Sequence, residues 1–350
     1  MVVAQTIETL EQQFERSAVD SLAQQQFEPE YFMQRTRRNM MQIAAALAAL
    51  VLSPLAASAD GLKEVRIGFQ KAGIFPAVKQ RHTVEDAFKA QGLSVKWVEF
   101  AFGPPLLEAL NTGNIDYGYT GDTPPVFAQA ARANLLYVAA LPSAGKNEAI
   151  IVPVDSPIQS LADLKGKRVG FAKGSSAHNT TVAGLEKAGL SYSDITPVYL
   201  APADAVPAFN GGNLDAWTIW DPYLALAEKG KIRVIAQAKD IHEANAFFLA
   251  NRDFTGKHPD IVAKLNQIFA DESRWANDHR ADIARSLHDT TGIELEAVSK
   301  AVDRSVFLVT PVTDKVIATQ QTVADRFHKL GLIPKAVDVK EIVWTWTPGS

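Results

Sequence analysis

The chain has 350 residues, 47% apolar and 21% charged, with a formal net charge of −4 and no cysteine. That length and apolar share can bury a sizeable core in one large or two medium domains, while the slight acidity and the lack of a Lys/Arg-dense stripe exclude nucleic-acid binding, which depends on phosphate neutralisation. Without cysteine there is no thiol catalysis, Cys-ligated zinc, iron–sulfur cluster or disulfide, and a domain of this size stabilises its core without such staples.

Residues 1–32 are polar and rich in Gln and Glu, an N-terminal extension that is expected either to be untranslated, with Met33 as the start, or to be lost on cleavage. Residues 33–59 read as a signal peptide. Gln34-Arg35-Thr36-Arg37-Arg38 is the basic region, residues 40–52 the apolar one, and Ala57-Ser58-Ala59 the small-residue site, so cleavage is expected before Asp60. The apolar stretch, roughly 13 residues, falls short of the ~20 that a membrane span needs. Thr36-Arg37-Arg38-Asn39-Met40-Met41 also fits a twin-arginine signal, which leaves both export routes open.

In the mature chain, strand 65–69, a helical stretch to about 91 and strand 94–100 suggest a βαβ unit. Gly103-Pro104-Pro105 opens a helix that Gly113 ends, and strand 115–119 runs into Thr120-Gly121-Asp122-Thr123-Pro124-Pro125 before another helix. Strands 135–141 and 148–153 follow. At Val169 the βα pattern restarts, and Lys173-Gly174-Ser175-Ser176-Ala177-His178-Asn179 leads into a helix. A strand at 196–200, a helix at 202–209 and the run Leu214 to Trp220 reach Asp221-Pro222-Tyr223. After strand 232–237 and an extended stretch 246–250, residues 259–330 are helical and are expected to pack back on the first domain. The pattern predicts two α/β domains, residues 60–148 with 246–350 and residues 149–245, joined by two crossovers near 146–151 and 243–249 that would serve as a hinge. No internal repeat is evident.

Three loops at strand C-terminal ends, where open α/β sheets bind ligands, carry complementary chemistry. At the Gly174-Ser175-Ser176 loop, the first-turn amides of the next helix and two hydroxyls can converge on an anion, with Gly174 allowing close backbone approach; the competing role of the serines is N-capping. Thr120, Gly121 and Thr123 offer a second set of neutral donors. Such donors suit a sulfonate, a permanent anion, whereas Asp122 and Asp221 would serve as acceptors for a phosphonate proton or act as N-caps. Trp217, Trp220 and Tyr223 present apolar faces for a tail, or belong to the core. His178 and Asn179 sit at the helix start, His178 as a donor to the ligand or to a neighbouring loop. No metal-ligand spacing, nucleophile elbow, P-loop or dinucleotide fingerprint is present, so neither a catalytic set, nor a metal site, nor a cofactor is expected.

The stretches Arg66-Ile67-Gly68-Phe69-Gln70-Lys71, Trp97-Val98-Glu99-Phe100, Thr120-Gly121-Asp122 with Pro124 to Ala130, Lys173 to Asn179, and Gly212 to Trp217 with Ile219-Trp220-Asp221-Pro222-Tyr223 together carry a resemblance. The chain resembles the periplasmic aliphatic sulfonate-binding proteins, receptor components of ABC importers in the wider nitrate, sulfonate and taurine group. The resemblance covers about residues 65–343. It implies a two-lobed type II periplasmic-binding-protein fold (α/β) with an interlobe cleft. By the same resemblance, Gln70, Lys71, Thr120, Gly121, Asp122, Ser175, Ser176 and His178 would hold the sulfonate group, with the tail against Trp217 and Trp220. A monomeric periplasmic receptor that hands its ligand to a membrane permease for sulfur supply is expected. Taurine, nitrate and a thiamine-pyrimidine precursor are the rival ligands, and an enzyme of the same two-lobed fold is the rival class. Ala72-Gly73-Ile74-Phe75-Pro76 departs from the family pattern by being more apolar, and the family lacks the N-terminal extension.

Overall fold

The computed structural model describes residues 61–349; the expected extension, signal peptide and cleavage site before Asp60 lie outside the described residues. The chain first lays down β1 (Glu64–Phe69), α1 (Phe75–Arg81), α2 (Thr83–Lys89), β2 (Ser94–Glu99), α3 (Gly103–Asn111), β3 (Tyr117–Gly121), α4 (Thr123–Ala130) and β4 (Leu135–Pro142). It then crosses to a second sheet through β5 (Glu148–Pro153), followed by β6 (Arg168–Phe171), α5 (Ser176–Lys187), β7 (Thr196–Tyr199), α6 (Pro202–Asn210), β8 (Ala216–Trp220), α7 (Tyr223–Ala227) and β9 (Ile232–Gln237). It returns through β10 (Asn245–Asn251) and finishes with α8 (Arg252–Lys257), α9 (Pro259–Asp278), α10 (Arg280–Thr291), α11 (Leu295–Arg304) and α12 (Asp314–Lys329).

The two five-stranded sheets have the orders β2-β1-β3-β10-β4 and β7-β6-β8-β5-β9. They follow one pattern, in which the antiparallel member, β10 or β5, is the strand that has just arrived from the other sheet. The repetition reaches individual side chains, which corrects the expectation of no internal repeat. Arg66-Ile67-Gly68-Phe69 on β1 is matched by Arg168-Val169-Gly170-Phe171 on β6, and Gly113-Asn114-Ile115-Asp116 by Gly212-Asn213-Leu214-Asp215. Arg66 donates from its backbone N and Nε to Asp116 Oδ2 at 2.8 and 3.0 Å; Arg168 donates from the same two atoms to Asp215 Oδ2 at 2.7 and 3.1 Å. Each motif contains a glycine because its neighbour leaves no room for a Cβ. That atom would lie 2.5 Å from Ile115 at Gly68 and 2.4 Å from Leu214 at Gly170.

The larger core lies around the first sheet, where α9 and α12 pack on the strands and α10 packs on α1 and α11. Phe75 stacks on Phe269 of α9 with ring centroids 4.2 Å apart and on Phe248 of β10 at 5.4 Å. Burying a phenyl ring of this kind stabilises the fold by about 2–3 kcal/mol. The second sheet has smaller cores on its two faces, one holding Phe171 and Leu185, the other Trp217 and Phe209.

Candidate functional site

A cavity of about 1330 Å³, counted with its solvent-open mouth, lies between the two sheets. The exits of β1 and β3, both crossovers, the start of α5, the end of β8 and the segment after α11 line it. The start of α5 and the side-chain amides of Asn147 and Asn245 bring donors to it. Proline occupies the first turn of α1, α3 and α4 and removes N–H groups from those helix starts. α5 has no proline in its first turn and keeps the amides of Ser176 and Ala177, which have no intrahelical acceptor, and Ser176 lines the cavity.

The two lobes meet at this point. A Cβ on Gly121 would lie 2.9 Å from the Ser176 Cβ across the cleft. Asn179 Nδ2 on α5 donates to Asp122 Oδ2 at 2.8 Å, and Arg326 of α12 donates to Asn179 Oδ1 and Glu186 Oε2, each at 2.8 Å. On the opposite flank Arg304 of α11 reaches Asp221 at 3.3 Å and Glu228 at 2.6 Å. Burial pushes the Asp221 carboxyl up to about 6, although the Arg304 charge pulls it down. The lysine and the arginine that line the cavity, Lys71 and Arg304, are both engaged by carboxylates, Lys71 with Glu99 at 3.6 Å.

Of the residues expected at the site, Gln70, Lys71, Gly121, Asp122, Ser175, Ser176, Trp220 and Asp221 line the cavity. Seven others stand behind it. Thr120 is fully buried and donates to the Gly121 carbonyl at 3.0 Å, because alternation along β3 turns Tyr119 and Gly121 towards the cavity and Thr120 away. Thr123 donates to Asp122 Oδ1 at 2.8 Å. Gly174, at φ 72°, makes the turn into α5 rather than part of the wall. Asn179 braces Asp122, and Tyr223 is half-buried at the start of α7. Trp217 belongs to a lobe core, 2% exposed and 5.7 Å from Phe209, since it lies an odd number of positions from Trp220 and the two rings leave opposite faces of β8. His178 is fully buried and accepts from the Gly174 N–H at Nδ1 (3.2 Å), with Nε2 3.1 Å from the Tyr192 hydroxyl. It packs against Phe171 and Phe327, and burial, then Lys173, lowers its pKa to about 3, so it stays neutral.

The serines do not cap α5 through their side chains. Ser175 Oγ donates to the Ala172 carbonyl at 2.7 Å, and Ser176 Oγ to Glu148 Oε2 at 2.6 Å. Glu148, Thr180 and His242 were not among the expected residues, yet all three line the cavity, as do Asn147 and Asn245 at the crossovers. The sequence signal for Glu148 was a carboxylate opening an otherwise apolar strand, Glu148-Ala149-Ile150-Ile151-Val152.

A family model described as NMT1/THI5 like matches residues 85–280. The alkanesulfonate-binding protein SsuA from Xanthomonas axonopodis pv. citri, solved bound to MOPS, is similar at 40% identity, covering 80% of this chain and 98% of its own, with a TM-score of 0.76. The periplasmic aliphatic sulphonate binding protein SsuA from Escherichia coli is 39% identical, covering 83% and 94%, at 0.75. The taurine-binding periplasmic protein of Escherichia coli (strain K12) is 26% identical over 210 residues, 56% of this chain and 64% of that one. The chain thus belongs to the NMT1/THI5-like family, with the periplasmic-binding-protein fold of its SsuA relatives.

Proposed function

We propose that this chain is the solute receptor of an ABC importer, capturing an aliphatic sulfonate between its lobes and delivering it to a membrane permease. One observation carries this reading: the cleft has neutral donors at the proline-free start of α5, while Lys71 and Arg304 already pair with carboxylates. A permanent anion needs donors and no acceptor for a proton, and backbone amides at a helix start supply them. The SsuA relatives, at 39–40% identity, support the same ligand class. Trp220 and Ile74 supply apolar wall for an alkyl tail, and the cavity exceeds what nitrate would fill.

In this reading, residues 60–148 with 246–350 and residues 149–245 close as two bodies about the crossovers. Gln70, Lys71, Gly121, Asp122, Ser175, Ser176, Trp220 and Asp221 contact the ligand, and Thr120, Thr123, Gly174, His178, Asn179, Trp217 and Tyr223 support them. The receptor works as a periplasmic monomer after cleavage before Asp60. Among the described residues, no helix is long and apolar enough to cross a membrane.

Thermal unfolding against methanesulfonate, a longer alkanesulfonate, taurine, a phosphonate, nitrate and a thiamine pyrimidine tests the proposal. A ligand that binds only the folded state stabilises it by about 2.7 kcal/mol at a hundredfold excess over Kd. A selective shift with alkanesulfonates is expected; a shift with nitrate or the pyrimidine alone would overturn the ligand class.

A further inference from the structure

The Glu148 carboxyl, 7% exposed, faces the cleft beside the anion seat with no Lys or Arg partner. Its Oε1 is hydrogen-bonded to Thr180 Oγ1, which lies 2.8 Å from His242 Nε2, and His242 Nδ1 lies 3.1 Å from the Glu243 carbonyl. Taking each of these contacts as a hydrogen bond fixes the hydrogens that the chain must hold. A carbonyl only accepts, so His242 Nδ1 carries a proton. Thr180 has one hydroxyl proton. If it points to Glu148, then His242 Nε2 must donate to Thr180 and the imidazole carries both protons. If it points to Nε2, then Glu148 must donate and is itself protonated. Each arrangement contains one proton more than a carboxylate with a neutral imidazole, and only that extra proton satisfies every bond in the chain.

Resting on the sulfonate reading above, we infer that Glu148, Thr180 and His242 form a proton-holding relay, and that the cleft binds its anion tightly only while the relay keeps its proton. With the proton, the Glu148–His242 pair is neutral; without it, a buried carboxylate stands beside the incoming anion. Ser176 adds to the coupling. Its hydroxyl donates to Glu148 Oε2, and protonation of Glu148 weakens that claim and frees the hydroxyl to turn to the ligand. Burial pushes the Glu148 carboxyl up, the Ser176 and Thr180 hydroxyls oppose this, Asp122 at the start of α4 pushes it further, and His242 draws it down. The other titratable or charged groups around the relay are Tyr119 on β3, Asp221 at the end of β8, held by Arg304, Lys71, held by Glu99, and Glu243, held by Lys315 of α12. Because the proton is shared, it titrates as a property of the pair.

The sign follows from linkage. The bound state retains the proton to higher pH than the free state, so affinity is full at low pH and falls as pH rises through the pair's titration, by at most roughly tenfold per pH unit. The measurement is calorimetry with ethanesulfonate, which has no titratable group, at several pH values and in two buffers of different ionisation enthalpy. Proton uptake that rises towards one per ligand is expected on the alkaline side. Glu148→Gln, whose amide donates to Thr180 without a titrating proton, should bind ethanesulfonate with no pH slope and no uptake, whereas His242→Gln should move the slope to lower pH. Ethanesulfonate binding that is independent of pH and buffer in the wild type, or an unchanged slope in Glu148→Gln, would overturn the relay while leaving the sulfonate reading intact. Taurine binding without proton uptake, and more tightly than ethanesulfonate at high pH, would also overturn it by making Glu148 a seat for the ammonium. Absence of binding by any sulfonate at any pH would overturn both.

Discussion

The two lobes share a scaffold and differ at its rim. Both begin with an arginine clamped to an aspartate, both place a Gly under the next loop, and both end the third strand of the motif in an aspartate next to a helix start, Asp122 or Asp221. Each of these aspartates is grasped from the other lobe, Asp122 by Asn179 and Asp221 by Arg304. The helix after the first strand departs from this parallel. In the first lobe α1 opens with Phe75-Pro76 and buries an aromatic ring; in the second α5 opens with Ser176, which lines the cleft, followed by the buried Ala177 and His178. In the proposed reading, the shared scaffold places the ligand between the lobes and the first turn of α5 holds its charged group.

The largest expected effect comes from the ring at that turn. The His178 pKa is lowered to about 3, against ~6.5 when unfolded, so the folded state binds fewer protons in that window. Stability is therefore full above about pH 6.5 and is lost as pH falls towards 3, by roughly 4 kcal/mol over the window. Phe75 and Pro76 give the first lobe no such dependence at its equivalent turn. Denaturant unfolding of His178→Gln should show a flatter acid limb than the wild type. Equal slopes would mean that the acid sensitivity lies elsewhere.

Next in size is the paired clamp. Asp116 is 2% exposed, so Arg66→Ala leaves a buried carboxylate without its partner and should cost about 2–3 kcal/mol, discounted for the one-third exposure of the arginine. Its counterpart Arg168 pairs with a more exposed Asp215, and Arg168→Ala should be milder. Chemical denaturation of the two variants measures the asymmetry directly, and equal losses would show the lobes to be interchangeable at this point.

A smaller effect is expected where the lobes touch. Gly121 has room for no Cβ because Ser176 sits opposite, so Gly121→Ala opposes closure rather than folding. Overpacking of this kind costs about 1–3 kcal/mol, which as lost affinity is roughly 5- to 150-fold. Titration with an alkanesulfonate should show that loss at unchanged melting temperature. A lowered melting temperature with full affinity would place the clash inside one lobe.

Much of this was legible in the sequence because it was local. Strand exits, the Gly174 turn and the proline-marked helix starts are each written in a few adjacent residues, and they located lining residues on both sides of the cleft, Gln70, Gly121 and Asp122 on one and Ser175, Ser176 and Trp220 on the other. What joins the sides was not legible. Arg304 meets Asp221 from 83 residues away and Asn179 meets Asp122 from 57, with no periodicity linking the members of either pair. The internal repeat was hidden for a similar reason: its few matching residues are spread over 50 positions in one lobe and 47 in the other. His242 lies at the second crossover, where neither strand nor helix pattern singles out a side chain, whereas Glu148 opens β5 as the one carboxylate of an otherwise apolar strand.

Trp217 and Trp220 are a different case, because the information was present and a rule of alternation reads it. Residues three apart in a strand point to opposite faces, so the pair cannot form one wall, and the structure puts Trp217 in the core with Phe209 and Trp220 in the cleft. The smallest predicted effect follows from this. Ligand binding should change tryptophan fluorescence through Trp220 alone, so Trp220→Phe should abolish most of the ligand-dependent signal. Trp217→Phe should keep that signal while lowering stability by about 1 kcal/mol, as shrinking a buried ring does. A signal lost with Trp217 and kept with Trp220 would mean that the ligand reports through the packing of the second lobe, and that closure reaches into its core rather than stopping at the cleft surface.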